Sequence, residues 1–160
     1  MSLHGGPGGR EPDDGDHGLC GVYYAIVTQN DDTEGSARVK VRYPWIDHGD
    51  EDQSFWAPIS VPMCGDEFGT YVLPEVEDTV LVVFLAGDIR YPVVIGGAWS
   101  QTDPPPETNE DGSNDFRLIK SRSGHRLLLD DSDSGKIVLS DKSDKNMMST
   151  GPHASGGSVS

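Results

Sequence analysis

Three consecutive prolines, Pro104–Pro106, set the first limit on how this chain can fold. Proline fixes φ and has no amide hydrogen, so the run can enter neither a helix interior nor a sheet ladder. It favours an extended, stiff path. The residues around it, SQTDPPPETNEDGSND from Ser100 to Asp115, are almost wholly polar. They read as a linker over 101–115, and the sequence on either side must build its core separately.

The segment before the linker is a series of short strands. VYYAIVT (Val22–Thr28) is β-branched and aromatic, with apolar residues on both faces. ARVKVRY (Ala37–Tyr43) alternates strictly, placing Val39, Val41 and Tyr43 on one side and Arg38, Lys40 and Arg42 on the other. Period two with one wet face is the pattern of a half-buried strand. SFWAPISV (Ser54–Val61) has strand character, and Pro58 marks an edge or bulge. MCGDEFG reads as a loop and TYVLP as a short strand. TVLVVFL (Thr79–Leu85) is the most apolar run, too short and too β-branched for a helix, with both faces expected to be buried. AGDIRY is a hairpin-like turn and PVVIGGAW the last strand of the block. If Gly96 or Gly97 takes φ > 0 where that strand ends, a Cβ there costs about 1–2 kcal/mol. Strands apolar on both faces require cover on both, so residues 18–100 read as a small closed β-barrel or sandwich.

Beyond the linker, FRLIK, HRLLLD and KIVLS are three short strands repeating about every ten residues, separated by SRSG and DSDSG. Three such strands bury little by themselves and need stacked neighbours. Too few residues remain to supply them from the same chain, so further copies are the natural source. The apolar positions that would meet those copies are Phe116, Leu118, Ile119, Leu127, Leu128, Leu129, Ile137, Val138 and Leu139. The expected domains are a disordered tail over 1–17, the barrel over 18–100, the linker over 101–115, the strand array over 116–147 and a flexible tail over 148–160.

Charge and composition exclude several functions. Lys and Arg total 12 against 27 Asp and Glu, a net charge of -15, which repels phosphate backbones and anionic lipid surfaces. No apolar run reaches membrane-spanning length, and the first residues have no apolar signal core, so synthesis in the cytoplasm and no stable membrane anchoring are expected. Cys20 and Cys64 are too few for a disulfide framework and read as reduced, packed thiols. The stripe Arg38, Lys40, Arg42 would need aromatics on its own face to bind single-stranded nucleic acid, and Tyr43 points the other way. It reads as a solvated or subunit-contacting stripe. Trp45, Trp56 and Trp99 read as barrel packing or subunit contacts rather than a sugar platform. DDSDSG (Asp130–Gly135) lacks the distal bidentate Glu of a calcium loop and reads as a β-turn. His4 and His17 lack partners at ligand spacing, and His48 and His125 lack a Ser or Cys partner. No nucleophile elbow or zinc motif stands out, so the reading is non-enzymatic, with no catalytic residue, cofactor or metal.

Several motifs, in order, carry a resemblance. GVYYAIVT (Gly21–Thr28), ARVKVRYPW (Ala37–Trp45), FWAPISVPMCGDEFGTYVLPEVEDTVLVVF (Phe55–Phe84), GDIRYPVVIGGAW (Gly87–Trp99) and LIKSRSGHRLLLDD (Leu118–Asp131) resemble the spike proteins of contractile injection systems. That family includes phage baseplate spikes and the valine-glycine-repeat proteins of type VI secretion. Two departures stand out. Glu77 occupies a turn position where the family usually has Gly, and only His153 remains where some members end in a His-x-His iron site. The resemblance implies an all-β chain: an OB-fold-like barrel followed by strands of a trimeric β-helix or prism. It also implies a homotrimer seated on the inner tube or hub protein of a baseplate and capped by a Pro-Ala-Ala-Arg-type tip protein. Such a spike assembles in the bacterial cytoplasm as part of a tail-like particle and acts at the target envelope on contraction. The alternative is an OB-fold nucleic-acid- or glycan-binding module.

Overall fold

The computed structural model describes residues 18–46 and 54–151. The tail over 1–17, His48 and His153 therefore lie outside the described residues. The chain divides into two compact units, Met1–Ser100 and Gln101–Ser160. Both are built from strands, and the described residues contain a single 3-10 turn, Leu85–Gly87, and no α-helix.

The first unit contains six strands: β1 (Tyr23–Gln29), β2 (Lys40–Arg42), β3 (Cys64–Gly65), β4 (Phe68–Gly69), β5 (Thr79–Phe84) and β6 (Pro92–Gly97). Four of them form an antiparallel sheet in the order β2-β1-β5-β6. The sheet closes through the segment Ser54–Ser60. On one side Val39 and Ala57 exchange amide hydrogen bonds of 3.0 and 2.7 Å; on the other Val94 donates to Pro58 and Ser60 donates to Val94, at 2.9 and 2.7 Å. Closure leaves few free ladder groups, as a small barrel requires. The closing segment is not the regular strand expected for Ser54–Val61. It makes isolated bridges, Val39 to Ala57 and Ile59 to Val94, because Pro58 cannot donate to a ladder.

The barrel core comprises Ala25, Val27, Val39, Val41, Tyr43, Ala57, Val80, Val82, Phe84 and Val94. Most are β-branched and alternate with outward-facing residues, as the strict alternation of Ala37–Tyr43 predicts. Burial pushes the Tyr43 phenol up to about 12, against a weaker opposing pull from the Ser54 hydroxyl. The expectation of two buried faces on Thr79–Leu85 is corrected. Val80, Val82 and Phe84 are buried, but Leu81 and Val83 are half-buried and Leu85 is exposed. A single-layer barrel encloses only its inner face.

Three further expectations change. TYVLP is not a strand; the hairpin lies earlier, where β3 pairs with β4 inside the stretch read as a loop. Gly96 and Gly97 are absent from the positive-φ positions. A Cβ at Gly96 would meet nothing within 4 Å, and one at Gly97 only the Thr79 carbonyl at 3.9 Å. The irregularity near them is a bulge instead: Leu81 pairs with Gly96 and Val82 with Val94, leaving Ile95 as the extra residue. Where a glycine is required is Gly87, at φ 75°, whose added Cβ would lie 3.0 Å from Gly18 backbone atoms. There the entering chain is tied down by the Leu19 amide donating to the Gly87 carbonyl at 2.8 Å.

The second unit is a four-stranded antiparallel meander, β7 (Phe116–Lys120), β8 (Arg126–Asp130), β9 (Lys136–Ser140) and β10 (Met147–Thr150), in spatial order β10-β9-β8-β7. The fourth strand falls partly in the region read as a flexible tail, so that reading is corrected for Met148–Thr150. The turns between strands are closed by their own polar side chains. In DDSDSG the Ser132 amide donates to Asp130 Oδ1 at 3.0 Å and the Gly135 amide to the Ser132 carbonyl at 2.8 Å, the β-turn expected.

Candidate functional site

The register of the meander sorts its side chains onto two faces. Directly paired residues across strands point to the same side, and neighbours along a strand to opposite sides. Ile119, Leu127, Leu139 and Met148 form one cross-strand row. Arg117, Leu129, Ile137 and Thr150 form another, two positions along and therefore on the same face. The other face carries Leu118, Leu128, Val138 and Ser149 as its middle row, flanked by Phe116, Asp130 and Lys136 and by Lys120, Arg126, Ser140 and Met147.

The nine apolar candidates therefore do not form one surface. Ile119, Leu127, Leu129, Ile137 and Leu139 share the first face, which is open: Ile119 is 71% exposed and Leu139 54%. Phe116, Leu118, Leu128 and Val138 share the second, where Val138, Asp130 and Ser140 are buried. Met148, 57% exposed, joins the open face. The sequence reading missed it. The signal was available, since Met147 begins a fourth strand one repeat after Lys136, but the flanking Asp, Lys and Ser residues masked it.

Polar contacts hold the meander's shape. Arg126 donates to Ser140 Oγ at 2.9 Å and pairs with Asp144 at 3.0 Å, tying the β7–β8 end of the sheet to the β9–β10 turn. Arg117 pairs with Asp131 at 3.2 Å, and Lys136 lies 3.9 Å from Asp130. The Ser132 contacts, with Lys136 assisting, hold the Asp130 carboxyl below its usual range. Asn146 and Ser143 donate to Asp141 and hold its carboxyl at about 2.

On the barrel, the basic stripe has an aromatic partner that the sequence reading did not assign. Trp56 lies beneath both Lys40 and Arg38, 5.1 Å from the Lys40 ammonium and 5.6 Å from the Arg38 guanidinium carbon. Arg38 is committed to Asp32, at 2.8 and 2.9 Å, and to Glu34 at 2.7 Å. The guanidinium holds Asp32 well below the usual carboxylate range. Arg42 lies 3.5 Å from Glu77. Two of the three cations thus already face carboxylates, which opposes their use as a phosphate track.

Trp45 closes one end of the barrel with Tyr23, Tyr43 and Phe84, at ring-centroid separations of 5.0 to 5.6 Å and tilted planes. Trp99 is 73% exposed. Cys20 and Cys64 are free thiols and, against the expectation of packed side chains, both are exposed. His125 sits in the β7–β8 turn, its amide donating to Ser121 Oγ at 3.0 Å. Among the described residues, no three His, Cys, Asp or Glu side chains are grouped to hold a metal.

The barrel is where a known family model matches this chain. Residues 23–99 match the family described as type VI secretion system/phage-baseplate injector OB domain. This barrel is an OB domain similar to those of type VI secretion system and phage-baseplate injectors, matched over just under half of the chain. It is 34% identical over 73 residues to the actin cross-linking toxin VgrG1 of Vibrio cholerae, covering 44% of this chain and 7% of that protein. It is 34% identical over 71 residues to the type VI secretion system spike protein VgrG2a of Pseudomonas aeruginosa, covering 43% of this chain and 8% of the relative. With the spike protein VgrG1a of the same organism it is 32% identical over 98 residues, covering 57% of this chain and 14% of the relative. The chain therefore spans a small fraction of the length of these curated relatives. The family model lies within the barrel unit, and the match to VgrG1a is longer than that barrel.

Proposed function

We propose that this chain is a structural subunit of the central spike of a contractile injection system and works as a homotrimer. The observation that carries the reading is the open face of the meander, where Ile119, Leu127, Leu129, Ile137, Leu139 and Met148 lie side by side in a chain with an injector OB barrel. A single sheet cannot hide such a face. Three copies turned inward about one axis would form a prism with an apolar interior, leaving outside the second face, where Val138 is already buried within the chain and Lys120, Arg126 and Lys136 lie along the flanks.

The function on this reading is mechanical. The barrels seat on the inner tube or hub protein of the baseplate, and a Pro-Ala-Ala-Arg-type tip protein caps the spike. Contraction of the sheath drives the spike into the target envelope. The meander's backbone groups are paired laterally within each sheet, and the shared interior resists splaying under axial load. The chain is made in the bacterial cytoplasm and acts at or beyond the envelope. Among the described residues no helix is long and apolar enough to cross a membrane.

Size-exclusion chromatography with light scattering on the full chain tests the reading. The expected mass is that of three chains, held over a wide dilution range. A monomer that shifts only with added oligonucleotide or glycan would overturn it in favour of a binding module.

A further inference from the structure

The barrel unit carries two apolar surfaces that the other described residues leave exposed. The first is an arm between Ser60 and Leu73, built on β3 and β4, in which every residue from 62 to 72 is exposed. Met63, Phe68, Tyr71 and Val72 are all large, apolar and open, with Tyr71 76% exposed. Two two-residue strands joined through Asp66 and Glu67 bury no core of their own and cannot hold this shape in water unaided. The arm overhangs a cleft of about 630 Å³ whose floor includes Ala37, Pro58 and Ile59.

The second surface is the outer face of the barrel sheet. Tyr24 on β1 is 63% exposed and pairs in register with Leu81 on β5. Ile26 stands opposite Arg42 on β2, and Val83 extends the same face. Lys40 and Arg42 border it as a basic strip. Lys40 has no carboxylate at ion-pair distance among the described residues, and neither Asp66 nor Glu67 of the arm has a cationic partner there.

These surfaces do not meet within the single chain. Met63, Phe68 and Tyr71 on the arm and Tyr24 on β1 all stay exposed, although the arm runs from the closing segment at Ser60 back to the start of β5. They are complementary in kind: apolar side chains with an acidic tip on one, an apolar patch with a basic border on the other. A patch that fits a different patch on the same molecule makes a head-to-tail contact, which closes into a ring when the rotation allows.

We infer that the arm carrying Met63, Phe68 and Tyr71 docks on the outer β1–β5 face around Tyr24 and Leu81 of a second copy of this chain, with Asp66 and Glu67 set against Lys40. The inference rests on the threefold reading above, which supplies the closing rotation. It adds a second interface, in the barrels, to the one in the strand arrays. It also accounts for the outward apolar residues of β1 and β5, which a lone barrel leaves wet.

The test uses the full chain with Phe68 replaced by p-benzoylphenylalanine, mixed as 15N-labelled and unlabelled copies, irradiated, and mapped by peptide mass spectrometry. The expected adducts join the arm of one isotope to peptides 21–28 or 79–85 of the other. Adducts confined to one chain, arm-to-arm adducts, or no adducts in a sample that light scattering shows to be trimeric would overturn the inference and leave the threefold reading standing. A monomeric sample would overturn both. In parallel, Glu67→Lys should raise the dissociation constant of the assembly about tenfold, and Lys40→Glu in the same chain should recover most of the loss. Failure to recover would overturn the assigned charge pairing.

Discussion

Glu77 stands at φ 76° with its carboxylate 3.5 Å from the Arg42 guanidinium. The turn needs the left-handed conformation because the Glu77 amide must reach back to the Val27 carbonyl, which it does at 2.8 Å. A residue with a Cβ resists that conformation. The ion pair offers little in return, since both side chains are largely exposed. Glu77→Gly is expected to stabilise the barrel by about 1 kcal/mol, read as a shift in the urea midpoint with an unchanged slope. A destabilised variant would mean that the pair with Arg42 outweighs the backbone strain.

Phe84 is the largest apolar side chain in the barrel core, and its ring touches those of Tyr23 and Tyr43 at 5.6 and 5.5 Å. Phe84→Ala removes the ring from a packed cluster and is expected to cost about 3–5 kcal/mol in chemical denaturation. Leu81, on the outer face of the same strand and half-buried, should cost less than half as much on truncation to Ala in the barrel transition. Equal losses would mean that the outer face of β5 is packed as tightly as the inner one.

The contrast between those two residues shows what was legible in the sequence. Period two placed Val39, Val41 and Tyr43 inside correctly, because alternation records burial directly. A run such as TVLVVFL has no polar face to mark its outside, so it reads as covered on both sides whether the cover comes from its own chain or from elsewhere. The arm was misread for a related reason: Gly65 and Gly69 break the pattern of a strand, yet the hairpin forms around them. Glu77 was legible as a departure from the family pattern, and its positive φ explains why glycine suits that place. Met148 was lost because its strand is bounded by charged turn residues on one side and Gly151 on the other.

The turn between β9 and β10 should be sensitive to acid in a defined range. Asn146 and Ser143 hold the Asp141 carboxyl at about 2, below its ordinary 3.8. A carboxyl lowered on folding contributes fully above its unfolded value and loses that contribution as pH falls through the folded one. The turn should therefore hold from neutral pH to about 4 and lose support between about 4 and 2. Carboxyl carbon chemical shifts followed by NMR should give Asp141 a midpoint near 2 in the wild type, moving upward in Asn146→Ala. An unchanged midpoint in that variant would show that Asn146 is not the group holding the proton off.

The two faces of the meander give the sharpest test of which side turns inward. Leu139 lies on the open face, between Leu127 and Met148 in one row. Ser149 lies on the opposite face beside Val138, and like Leu139 it is exposed in the single chain. A carboxylate at either position is hydrated in the monomer, so neither variant should lose the meander itself. They diverge only on assembly. If the open face forms the interior of a prism, Leu139→Asp places three carboxylates near one axis in an apolar space, where desolvation and mutual repulsion both oppose association. The dissociation constant should rise by more than about a hundredfold, given the several kcal/mol that an unpaired buried charge costs. Ser149→Asp should change it less than about threefold, as expected of an exposed surface substitution. Light scattering across a dilution series reads both. Lowering the pH toward 5 should partly restore the Leu139→Asp assembly, because crowding three carboxylates raises their pKa and neutralises them. The reverse ranking would turn the other face, with Leu118, Leu128 and Val138, toward the axis and leave Ile119, Ile137 and Leu139 for a different partner.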